Sequence, residues 1–127
     1  MAGWVRLAQF RKQVEAHFRF LLEHGFAGPV VDDDTVEYVA EAFSVEVIYG
    51  GHQHELVTTI SAMNLRAGLS CLHVEAGLGF AQAVGGIARS RHSLEKTVRS
   101  QAVALVALLP YFAAPAFEAL MTTCHGR

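Results

Sequence analysis

The sequence predicts a two-layer α+β domain, with an N-terminal helix, a three-stranded antiparallel meander and two to three C-terminal helices. Three observations carry this. Apolar residues recur every three or four positions near both ends of the chain. They alternate with period two in the middle, and the connections between the alternating runs are short. A chain of 127 residues, 52% of them hydrophobic, suits one domain spanning 1–127, whose core needs neither a metal nor a disulfide.

The first helix is expected over residues 4–24. Leu7, Phe10, Val14, Phe18 and Leu21 form its apolar stripe, and Arg6, Arg11, Lys12, Glu15 and Arg19 fall mostly off it. Arg6, Arg11, Lys12 and Glu15 interrupt the apolar stretch that a signal peptide needs. His24 and Gly25 suit a last turn and a left-handed stop, and Gly28 and Pro29 break the pattern.

Three runs then alternate. In TVEYVA (35–40), Val36, Tyr38 and Ala40 share a side. In SVEVIYG (44–50), Val45, Val47 and Tyr49 oppose Ser44, Glu46 and Ile48. In ELVTTIS (55–61), Leu56, Thr58 and Ile60 oppose Glu55, Val57 and Thr59. Their β-branched content fits half-buried strands packed on helices by one face, with the other face in solvent.

Helical spacing returns after residue 64. Ser70 is placed as the cap of a short helix through Ala76, and Gly77 ends it. The glycine-rich stretch 77–90 is left without an assignment. Ser93 is placed as the N-cap of a helix carrying Leu94, Val98, Gln101, Ala102, Leu105 and Leu109, which Pro110 ends or kinks. Pro115 suits the first turn of a last helix with Phe117, Leu120 and Met121, and the tail TTCHGR is expected to fray. The run AVALVALLPYFAAPAF (102–117) falls short of the roughly 20 residues of a membrane span. With Pro110 and Pro115 inside it, it reads as a core helix.

Few residues suggest chemistry. YGGHQHE (49–55) places His52 and His54 two apart, so both would point to one side of a strand and share a metal. A site needs further ligands, and the two glycines favour a bend joining two strands. Ser70, Cys71 and His73 are a local cluster without the pattern of a triad. The glycines at 77–80 and 85–86 lack the spacing and lysine of a phosphate loop. Cys71 and Cys124 match no ligand or redox spacing and are expected as free thiols in a reducing cytoplasm. No cofactor and no metal are expected.

Charge is the exception. The net charge is only −2, which gives no reason to expect nucleic acid or a membrane surface as partner. Yet no Lys or Arg occurs between Arg19 and Arg66, and the basic residues are assigned to flanking helical regions and the tail. The interval holds Asp32, Asp33, Asp34, Glu37, Glu46 and Glu55, besides Glu23 and Glu41. A two-residue turn at Glu41 and Ala42 would set Glu37 opposite Glu46 on the solvent face, with the three aspartates where the meander begins. Two explanations stand: a solvated surface that keeps the sheet soluble, or an acidic face that docks a basic protein.

The segments FRFLLEHGFAGPV (18–30), VEYVAEAFSVEVIYG (36–50), HELVTTIS (54–61), SCLHVEAG (70–77) and SLEKTVRSQAVALVALLPYF (93–112) resemble a group of small bacterial proteins. Some of that group look like immunity proteins encoded beside polymorphic toxins. The resemblance runs from about residue 10 to 122 and lies in hydrophobic patterning, so no catalytic residue transfers. Taken with the charge pattern and the cysteine spacing, it suggests a small cytoplasmic binding protein, immunity-like, whose acidic sheet face blocks a basic partner such as a toxin. The alternatives are a small enzyme or metal-binding domain using His52, His54 and a carboxylate, or a structural homodimer burying a sheet edge or the 102–117 helix.

Overall fold

The computed structural model describes residues 2–50, 54–79 and 87–127. The fold is α+β, with helices before and after one antiparallel sheet. The sheet has five strands in the order β1-β2-β3-β4-β5, each paired with its neighbour in sequence. The three expected strands are β2 (Thr35–Val39), β3 (Ser44–Gly50) and β4 (Glu55–Ala62). They are flanked by β1 (Ala27–Asp32) and β5 (Leu65–Gly68), so the three-stranded meander is corrected to five.

Both additional strands lie at edges, where the period-two signal fades. Nearly all of β1 is exposed, so no alternation marks it. Pro29, read as a breaker, is tolerated because an edge position requires no N–H. A bulge lies between Ala27 and Val30. Gly28 adopts φ +127°, and a Cβ there would sit 2.9 Å from the Glu37 carbonyl oxygen. No other residue permits so close a backbone approach without a shift. Strand β5 has only four residues. It follows a tight turn whose central residues, Met63 and Asn64, both have positive φ (55° and 63°), as a two-residue hairpin turn demands.

The expected helix over 4–24 is two helices, α1 (Ala2–His17) and α2 (Phe20–Glu23), with the chain redirected at Phe18 and Arg19. Phe18 and Leu21 are both fully buried, and the redirection lets both side chains enter the core. Gly25, at φ +87°, supplies the left-handed stop. Helix α3 (Leu69–Glu75) is capped at Gly68, with no side-chain cap, so Ser70 lies inside the helix rather than at its start. Helix α4 (Arg91–Phe112) is capped three residues before the expected position. Ser90 is its N-cap, and Ser93 is the reciprocal member of a capping box. Pro110 does not end the helix, which continues to Phe112.

Beneath the sheet, Val36, Tyr38, Val45, Val47, Leu56 and Ile60 pack on Phe10, Val14, Leu94, Val98 and Leu105 as one core. The buried Gln101 ties the layers together. Its Nε2 donates to the Leu56 carbonyl at 2.8 Å, and its Oε1 accepts from the Thr58 hydroxyl at 2.5 Å. Among the described residues, no helix is long and apolar enough to cross a membrane.

The tail and the cysteines depart most from expectation. Helix α5 (Phe117–Cys124) takes in the first three of the residues expected to fray, and His125 forms an antiparallel bridge with Ala67 of β5. Cys71 and Cys124 are joined as a disulfide, with Cα atoms 5.8 Å apart, so the thiols are not free. Packing of α3 against α5 brings them together across 53 residues of sequence, a proximity that spacing alone does not encode.

Candidate functional site: the open face of the sheet

Helices cover one face of the sheet, and alternation sends the other side chains to solvent. The strand registers define that second face. Val30, Glu37, Glu46 and Thr59 form one row across β1 to β4. Asp32, Thr35, Ile48 and Val57 form the next. On the other side of the first row lie Val39, Ser44, Ser61 and Arg66.

Glu37 and Glu46 are direct cross-strand partners. The turn that sets them opposite is the expected one: Ala40 N–H donates to the Phe43 carbonyl at 2.8 Å, leaving Glu41 and Ala42 at its tip. Glu46 is tied to Arg66, whose guanidinium lies 2.6 Å from Oε1. Arg66 therefore belongs to the sheet, not to a flanking helix as the charge pattern suggested. Among the described residues Glu37 has no ion-pair partner.

The remaining acids stand apart from this pair. Asp33 and Asp34 form the β1–β2 turn, next to Asp32 at the end of β1. Local bonds occupy them: Asp32 Oδ1 accepts from the Asp33 N–H at 3.0 Å, and Asp34 Oδ1 accepts from the Thr35 hydroxyl at 3.0 Å. Arg11 donates to the Asp33 carbonyl at 2.6 Å. Glu55 is exposed and pairs with Gly50, four residues along β3 from Glu46, about 13 Å at the rise of a strand. The six acids thus divide into the Glu37–Glu46 pair and a group at the far end of the sheet.

Apolar side chains lie beside the Glu37–Glu46 pair and, at Ile48 and Val57, between it and the far group. Val30 and Val39 are 59% and 43% exposed, and Ile48 and Val57 are half-buried. Reading charges alone missed them, although Ile48 and Val57 occupy the outward alternation positions of their strands. Val30 lies in β1, the strand without a periodic signal. A shallow cleft of about 440 Å³ opens at the Val39 end of the face, lined by Val39, Phe43, Ser44, Ser61, Leu65 and Arg66 among others.

The histidine pair gives no centre within the described residues. His54 sits at φ 53° in the turn before β4 and its carbonyl accepts from the Ala88 N–H at 3.0 Å. His52 lies outside the described residues. Among those described, no three His, Cys, Asp or Glu side chains are grouped to hold a metal ion. Cys71, next to Ser70 and two residues before His73, is committed to the disulfide.

Comparison with known protein families, with curated protein sequences and with solved structures gave no significant match.

Proposed function

We propose that this chain is a small protein-binding module, immunity-like in action, whose open sheet face docks a basic protein and blocks it. One observation carries the proposal: Glu37 and Glu46 oppose one another on an uncovered face, and only Glu46 has a counter-charge among the described residues. Like charges directly opposite destabilise a strand pair. A cation brought by a partner relieves that repulsion. The exposed Val30 and Val39, with Ile48 and Val57 nearby, supply apolar area of the kind an interface centre uses. The negative field of the face steers a basic partner toward it. The cytoplasmic setting belongs to the same proposal, and it would expose the Cys71–Cys124 bond to reducing conditions.

A second reading, a homodimer, draws on α4. Val103 and Val106 lie one turn apart and are 64% and 50% exposed. Sedimentation at rising concentration separates the two, since the docking proposal requires no self-association.

The direct test uses the product of the gene adjacent to this one as the probe. Glu37→Gln with Glu46→Gln removes charge at nearly constant shape. Association should slow by about tenfold at low salt, and salt alone should slow the wild-type reaction. Absence of binding, or an on-rate indifferent to both changes, contradicts the proposal.

A further inference from the structure

The residues after α5 act as a partial sixth strand. Arg66 turns its backbone N–H and C=O away from β4, and both are satisfied by this segment. The N–H donates to His125 Nδ1 at 3.1 Å, and the C=O accepts from the Gly126 N–H at 2.8 Å. Gly68 is what permits the approach, because a Cβ there would meet the Arg127 carbonyl oxygen at 2.8 Å. An edge strand with unpaired groups invites another chain. At β1 the edge carries Pro29 and a bulge. At β5 it is filled from within by residues 125–127.

The segment itself is weakly held. His125, Gly126 and Arg127 are all exposed. The Cys71–Cys124 bond fixes the residue immediately before them, and Cys124 is fully buried. The rest of α5 has its own anchors. Phe117 and Met121 are buried, and the Phe117 ring lies 4.8 Å from that of Phe112.

We infer that the Cys71–Cys124 disulfide is a redox latch. A dithiol reductant opens it, residues 125–127 leave β5, and the edge at Arg66 becomes free while the core stays folded. Cys71 is partly exposed whereas Cys124 is not, so the reductant's thiolate attacks Cys71 Sγ. The S–S bond breaks, and its electron pair leaves on Cys124 Sγ, which takes a proton. The second thiol of the reductant, deprotonated, then displaces Cys71, which leaves as a thiolate and is protonated. The protein gains two electrons and two protons, and the reductant becomes its own disulfide. Cys124, once a thiol, is no longer tied to α3, so the last turn of α5 frays with residues 125–127 while the buried Phe117 and Met121 hold the rest of the helix. This latch requires no partner on the sheet face and stands independently of the docking proposal.

Residue-resolved amide exchange on the full chain, oxidised and after dithiothreitol, tests it. Reduction should speed exchange of the Arg66 amide by about tenfold or more and leave the amides of β3 unchanged, as a local opening does. Gly68→Ala should produce the same rise at Arg66 with the disulfide intact. Cys71→Ala with Cys124→Ala should show it without reductant. The inference is overturned by an unchanged Arg66 amide after complete reduction. Equal acceleration across β3, or a bond that dithiothreitol cannot reach in the folded protein, overturns it too.

Discussion

Glu46 lies between two charges of opposite sign: Glu37 faces it directly across β2 and β3, and Arg66 reaches it from β5 at 2.6 Å. The stability of the sheet and the charge of its open face are thereby linked through three side chains. Glu37→Gln should stabilise the fold by a few tenths of a kcal/mol, because it removes the repulsion and no ion pair among the described residues. Arg66→Gln should destabilise by about 0.5 kcal/mol, the modest value of a pair in contact with solvent. Urea unfolding of both variants checks the opposite signs.

Gln101 joins α4 to β4 from inside the core. Gln101→Leu should cost about 2–3 kcal/mol, since the Thr58 hydroxyl and the Leu56 carbonyl each lose a buried partner. Adding Thr58→Val should recover part of that loss. A double-mutant cycle by chemical denaturation measures the coupling, and strict additivity would argue against a shared network.

The disulfide spans 53 residues. Replacing both cysteines by Ala should lower stability by about 2–4 kcal/mol, the usual range for a disulfide. Far-ultraviolet circular dichroism should remain that of the wild type, since the core cluster around Phe10, Val47 and Leu105 does not depend on the bond.

Burial, and secondarily the Glu15 carboxylate, push the Tyr38 phenol up from 10.0 to about 12. The folded state therefore holds its proton more tightly than the unfolded chain does. This contribution to stability is fully present below pH 10 and is lost as pH rises through about 12. Alkaline unfolding of Tyr38→Phe should lack that component, and the difference in phenolate absorbance between wild type and variant should show the late titration of Tyr38.

Much of the inner layer was legible in the sequence, because a single period fits each buried element. Val36, Tyr38, Val45, Val47, Leu56 and Ile60 declared β2, β3 and β4, and the short Glu41–Ala42 turn was enough to set Glu37 against Glu46. Elements whose form depends on tertiary contact were not legible. Strand β1 is exposed on both sides, and β5 is four residues held between β4 and the tail. Spacing could not pair Cys71 with Cys124, since only the packing of α3 on α5 brings them together. For the site, composition revealed the acids but not their division, because that depends on register across strands. Arg66 escaped notice for the same reason, as did the valines that give the face its apolar part.

The most direct measurement of the central claim is a residue-resolved footprint of the adjacent gene's product on this chain, by titration followed with amide and methyl resonances. Docking on the open face predicts perturbations at Val30, Glu37, Val39, Glu46, Ile48 and Val57, with Val103 and Val106 of α4 undisturbed. Perturbations confined to α4, or none at all, would contradict it.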